Sequence, residues 1–130
     1  VKSKDFAEKY IRVWHQAALS GNTDEFEKLH DPSFVSHDLV IEAPLKGYLQ
    51  HLRDIKKSGE IKRFELEYLV GDTHLFLLDF KACYHFKENV PGKPNTKGKE
   101  VNTHYRCLFH VKDDKVDELW SAGAASEKAL

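Results

Sequence analysis

Methionine is absent from this sequence, cysteine occurs only at Cys83 and Cys107, and neither sign of charge prevails. With 20 Lys and Arg against 21 Asp and Glu, the net charge is −1. Such a chain lacks the field that draws nucleic acid or anionic lipid, so neither nucleic acid nor membrane is expected as a partner. No apolar run approaches the roughly 18 residues that a membrane helix needs, and no basic-then-apolar leader opens the sequence. The chain starts at Val1 without a methionine, which is compatible with an initiator or leader removed ahead of it. Two cysteines are too few for a disulfide framework and do not form a Cys-x-x-Cys pair. Free thiols in a reducing, cytoplasmic compartment are therefore expected. A phosphate-cradling glycine loop and a nucleotide fingerprint are also missing, so no cofactor is expected.

What is present fits one compact domain over residues 1–130. Hydrophobic residues at 41% and charged residues at 32% place the chain among globular rather than disordered sequences. From Asp5 to Ser20 the residues Phe6, Ala7, Tyr10, Ile11, Trp14, Ala17 and Ala18 recur at helical spacing. Ser20-Gly21-Asn22 ends that helix, and Thr23 can cap a short second one with Phe26 and Leu29 facing inward. Phe34 to Leu39 reads as a strand with Val35, His37 and Leu39 inward and Phe34, Ser36 and Asp38 outward. Tyr48, Leu49, Leu52 and Ile55 mark a third helix over Gly47 to Lys57.

Beyond Gly59 the period changes to two. Phe64, Leu66, Tyr68 and Val70 form one strand face; Phe76, Leu78, Phe80, Ala82, Tyr84 and Phe86 form the next. After a Pro- and Gly-rich loop, Val101, Thr103, Tyr105, Cys107, Phe109 and Val111 form a third. The Asp113-Asp114 turn leads to a last strand with Val116, Glu118, Trp120 and Ala122 on one side. The expected class is α+β, with three N-terminal helices packed on a bent antiparallel sheet. The aromatic inner face either fills the core or lines a cavity beneath the helices.

Several segments resemble the nuclear transport factor 2-like superfamily and, within it, the SnoaL-like polyketide cyclases. Phe34-Val35-Ser36-His37-Asp38 resembles that group's strand ending in His, and Lys46-Gly47-Tyr48-Leu49 its third-helix start. Pro94 to Val101 resembles its Pro-Thr-Gly-Lys-x-Val hairpin with Lys97 added, and Lys115 to Trp120 its Lys-Ile-x-Glu-x-Trp strand. The resemblance implies a cone-shaped fold over nearly the whole chain. It also implies a general-base aspartate four residues beyond the closing Trp, where this sequence has Ala124. A similarity to ketosteroid isomerases around Trp14 to Gly21 implies an oxyanion-stabilising tyrosine where Trp14 stands, and a catalytic aspartate at His37 or, shifted by one, Asp38.

These patterns nominate His37 as an inward acid or base, with Glu118 as its partner. Tyr10, Trp14, Tyr48, Tyr68, Phe80, Tyr84, Tyr105 and Trp120 are the expected ligand-binding residues, the tyrosines presenting hydroxyls to a carbonyl. The expected ligand is a small apolar or carbonyl-containing molecule, and the expected activity that of a cyclase, isomerase or dehydratase. Ala124 and Trp14 favour the alternative of a non-catalytic ligand-binding or carrier domain; a third reading is a protein-interaction module.

His85, His104 and His110 fall outward, and His15, His30, His51 and His74 on helix surfaces or turns. If Phe86 pairs with Val101, Cys83 lies opposite His104, and two ligands make no metal site. Leu75, Leu77, Leu108 and Leu119 make the outer face too apolar for full solvation. Because nuclear transport factor 2-like proteins commonly dimerise through this face, the resemblance implies a homodimer. Lys93, Lys97 and Lys99 either guide an anionic ligand or belong to a solvated loop.

Overall fold

A computed structural model describes residues 2–38, 42–72 and 74–130. Helix α1 runs Lys2–Ser20 and is followed by the single turn α2, Asp24–Glu27. Strands β1 (His30–His37) and β2 (Glu42–Pro44) precede helix α3, Leu45–Ser58. Then come β3 (Gly59–Gly71), β4 (Leu75–Phe86), β5 (Lys99–Lys112) and β6 (Lys115–Ala129). The strands form one six-stranded sheet in the order β2-β1-β6-β5-β4-β3. The consecutive pairs β3 to β6 are the expected antiparallel meander. The β1 and β6 pair is parallel, so the sheet is not antiparallel throughout.

Local chemistry explains the joints. The stripe of α1 buries Ala7, Tyr10, Ile11, Trp14 and Ala17, as its spacing requires. Asp113 and Asp114 adopt φ of 52° and 59°, the pair of positive values that a tight hairpin between β5 and β6 demands. Aspartate tolerates that region better than most residues. Thr23 does not cap α2 through its side chain; its hydroxyl accepts a 2.7 Å bond from Arg53 Nη1 and ties α2 to α3.

The inner face of β4 is as the alternation predicts, with Phe76, Leu78, Phe80 and Ala82 buried. The same holds for Val101, Cys107, Phe109 and Val111 on β5. Three other strands differ. In β1, Phe34 and Ser36 are buried beneath the helices and Val35 and His37 lie on the opposite face, the reverse of the expected order. Leu39, assigned inward by the same pattern, lies outside the described residues. In β6, His110 pairs with Glu118 and Val111 with Val116, leaving Asp117 as an extra residue. This bulge inverts the alternation, so Val116 and Leu119 point inward while Glu118 and Trp120 point outward. A second irregularity leaves Glu67 unpaired between Leu66 and Tyr68, which turns Tyr68 and Val70 to the outer face.

Candidate functional site

The inner face of the sheet and helices α1 and α3 enclose a cavity of about 270 Å³. Trp14, Leu52, Phe80, Phe86 and Leu119 supply apolar wall. Asp38, Tyr48, His51, Tyr84, Thr103 and Tyr105 supply polar groups. Of the residues nominated from sequence, Trp14, Tyr48, Phe80, Tyr84 and Tyr105 line it. Lys93 also lines it, which places one of the three loop lysines at the cavity. A mainly apolar enclosure with a few convergent polar groups is the usual form of a small-molecule site.

Electrostatics tie several of these groups together. Burial raises the Tyr105 phenol, and the Asp38 carboxylate pushes the same way, so Tyr105 stays protonated as a donor. Burial and then the Asp38 charge push the Cys107 thiol up to about 12, which keeps it neutral. His51 is lowered by burial and by Lys93, with Asp54 and Asp38 opposing. Its imidazole is therefore biased toward the neutral form that exchanges protons.

Four nominated residues sit elsewhere on the sheet, and a fifth lies deeper in the core. His37 is on the outer face, its ring stacked on Trp120 with centroids 5.6 Å apart. Its Nε2 lies 2.6 Å from Glu118 Oε2 and its Nδ1 3.0 Å from Glu42 Oε1. The bond to Glu118 raises its pKa against the opposing desolvation, and Glu42 adds to the rise. The expected His37 and Glu118 pair thus forms, but on the face away from the cavity. Trp120 and Tyr68 are outer-face residues too, Tyr68 being 64% exposed.

Tyr10 is buried in the core beside the cavity rather than lining it, and its hydroxyl meets His30 Nε2 at 2.7 Å. His30 is not a surface histidine: it is 3% exposed, and its Nδ1 lies 2.8 Å from the Phe26 carbonyl. A carbonyl only accepts, so Nδ1 carries the proton and Nε2 accepts from Tyr10. Burial pulls His30 to about 4, against the bonds to the Phe26 and Glu27 backbone. Burial, and then the neighbouring Tyr48, push the Tyr10 phenol well up, so it stays protonated.

No family model matches this sequence. No curated relative matches it either. Similarity appears in solved structures. An NTF2-like protein from Anabaena variabilis superposes with a TM-score of 0.73 at 11% identity, covering 94% of this chain and 89% of that one. The chain has the nuclear transport factor 2-like fold. An LEH-like epoxide hydrolase of M. tuberculosis shares the fold at TM-score 0.70 and 10% identity, covering 92% and 84%. IdmH of Streptomyces antibioticus, a proposed polyketide cyclase, does so at 0.71 and 16%, covering 90% and 91%.

Within this nuclear transport factor 2-like fold, Ala124 pairs with His104 on the outer face, while Ala125 lines the cavity. Neither offers a carboxylate. The cavity's acids are Asp38 and Glu127. Asp38, expected outward, and His51, expected on a helix surface, both stay exposed while lining the cavity, which places them at its mouth. The signal for Asp38 was its parity with Phe34, the bulkiest residue of that strand.

Proposed function

We propose that this nuclear transport factor 2-like protein is a cofactor-independent enzyme acting on a small, largely apolar carbonyl compound. The reaction class is proton transfer at the carbon beside the carbonyl, as in a cyclase, isomerase or dehydratase. Asp38 takes the proton, Tyr105 donates to the developing enolate oxygen, and His51 exchanges protons with solvent. The observation that carries this reading is the cavity wall itself, where a carboxylate and a protonated phenol interact electrically. A base and an oxyanion donor at one apolar site are what enolisation needs. His37, the residue the sequence favoured, is replaced in the base role by its neighbour. A second copy covering the apolar outer face completes the proposed assembly, with Leu75, Leu108 and Trp120 more than a third exposed there.

The test is exchange of the acidic hydrogens of 2-tetralone, a compact ketone, in deuterium oxide. Asp38→Asn is expected to slow the enzyme-dependent exchange by about 10²- to 10⁴-fold, with the cavity and fold retained. Unchanged exchange in that variant rejects the reading.

A further inference from the structure

Outside the cavity, the described residues of the outer face bring one cysteine, one histidine and one carboxylate together. Cys83 and His85 are two residues apart on β4 and so share a face. The register pairs Tyr84 with Val101, not Phe86 with Val101, which corrects the expected hairpin by two residues. Cys83 therefore faces Asn102 rather than His104, and His85 faces Glu100 directly. That shift supplies a third potential ligand that the expected register did not.

We propose that Cys83, His85 and Glu100 form a binding site for a borderline divalent cation of the zinc type. One ligand atom from each lies within 4.8 Å of the other two. His85 Nε2 and Glu100 Oε1 are 2.9 Å apart. Tetrahedral zinc with N and O bonds near 2.1 Å needs them about 3.4 Å apart, and a thiolate about 3.6 Å from each. The ion enters by opening one hydrogen bond by about half an ångström and drawing the sulfur in by at most about 1.2 Å.

The environment suits ligands rather than solvated surface groups. Cys83 is 3% exposed and the Glu100 side chain 14%. Asn102 Nδ2 lies 3.1 Å from Glu100 Oε2, which orients the carboxylate and leaves Oε1 toward His85. A sulfur, an imidazole and a carboxylate favour zinc or cobalt over magnesium or calcium, which take oxygen sets. Three protein ligands leave the fourth position for water. Cys83 also borders an outer groove of about 390 Å³, lined with Arg63, Lys81 and His104 among others, which gives an ion a way in.

Two cations oppose the ion. Lys128 Nζ lies 3.0 Å from Glu100 Oε2 on a side chain 69% exposed, and Arg63 is the β3 partner of Cys83. Lys128 neutralises part of the Glu100 charge from the Oε2 side, so its removal strengthens binding.

Cobalt(II) titration reads the site through the thiolate-to-metal absorption band, with zinc(II) as competitor. One equivalent is expected to raise the band, which zinc removes. Cys83→Ser abolishes it and Cys107→Ser keeps it. His85→Ala and Glu100→Gln weaken binding at least about tenfold, since even outer-shell losses cost 10- to 100-fold. Lys128→Gln tightens it. No thiolate band, a band that survives in Cys83→Ser, or affinity unchanged in His85→Ala overturns the proposal.

Discussion

At the scale of single residues, two histidines exchange the roles that the sequence suggested. His37 pairs with carboxylates on a solvent-facing strand, and His30 is the buried, bonded one. Val35 and Phe34 are both apolar, so the strand's own pattern does not say which parity faces the helices. His30 sits before a proline-containing stretch where no periodic signal reaches it. Its burial has a measurable consequence. The folded ring sits near 4 and an unfolded one near 6.5, so between those values the unfolded chain binds the extra proton. Stability is therefore expected to fall as pH falls through this window, by about 3 kcal/mol over its length. His37 has the opposite sign, since its raised pKa gives stability that is fully present below 6.5 and is lost at higher pH. Glu100, held at about 2 chiefly by His85, loses its contribution only below the ordinary carboxylate range. Urea unfolding at stepped pH with an NMR titration of His30 checks this. A His30 that protonates near its ordinary value contradicts it.

At the scale of elements, alternation was a reliable guide where strands are regular and failed where they are not. β4 has twelve residues and its register to β5 runs without a shift, so its inner face was legible from end to end. β3 and β6 carry bulges, and one extra residue sends every later side chain to the other face. Nothing in Asp117 or Glu67 announces a bulge, because its cause is pairing with a distant strand. The same inversion puts Gly123 against the cavity wall. A Cβ there meets the Tyr105 ring and the His104 carbonyl, so glycine permits the close approach of β6 to β5. Gly123→Ala is expected to cost about 1–3 kcal/mol by overpacking and to displace Tyr105. Chemical denaturation and 2-tetralone exchange measure both effects; an alanine variant with wild-type stability and exchange counts against this packing.

At the scale of the whole molecule, the sheet separates two environments, and the sequence showed both without saying which residues belong to each. Composition and order of elements pointed to the fold. The aromatic cavity wall followed from β4, β5 and α1, whose patterns are regular. The outer face lost Leu119 to the core and gained Trp120, so it stays apolar at its centre. A homodimer through this face predicts a particle of twice the 15.0 kDa chain mass in light scattering. Leu108→Glu is expected to reduce it to the single chain mass, because a buried unpaired carboxylate is costly. A wild-type protein that is monomeric at all concentrations contradicts the dimer.

The proposed chemistry resides under the helices, with Asp38, and not at the His37 cluster on the far face. Side-by-side rates of 2-tetralone exchange for Asp38→Asn and His37→Ala decide it. A loss of at least about 100-fold is expected in Asp38→Asn, with His37→Ala within about threefold of wild type. The reverse pattern, activity lost with His37 and kept without Asp38, would contradict it.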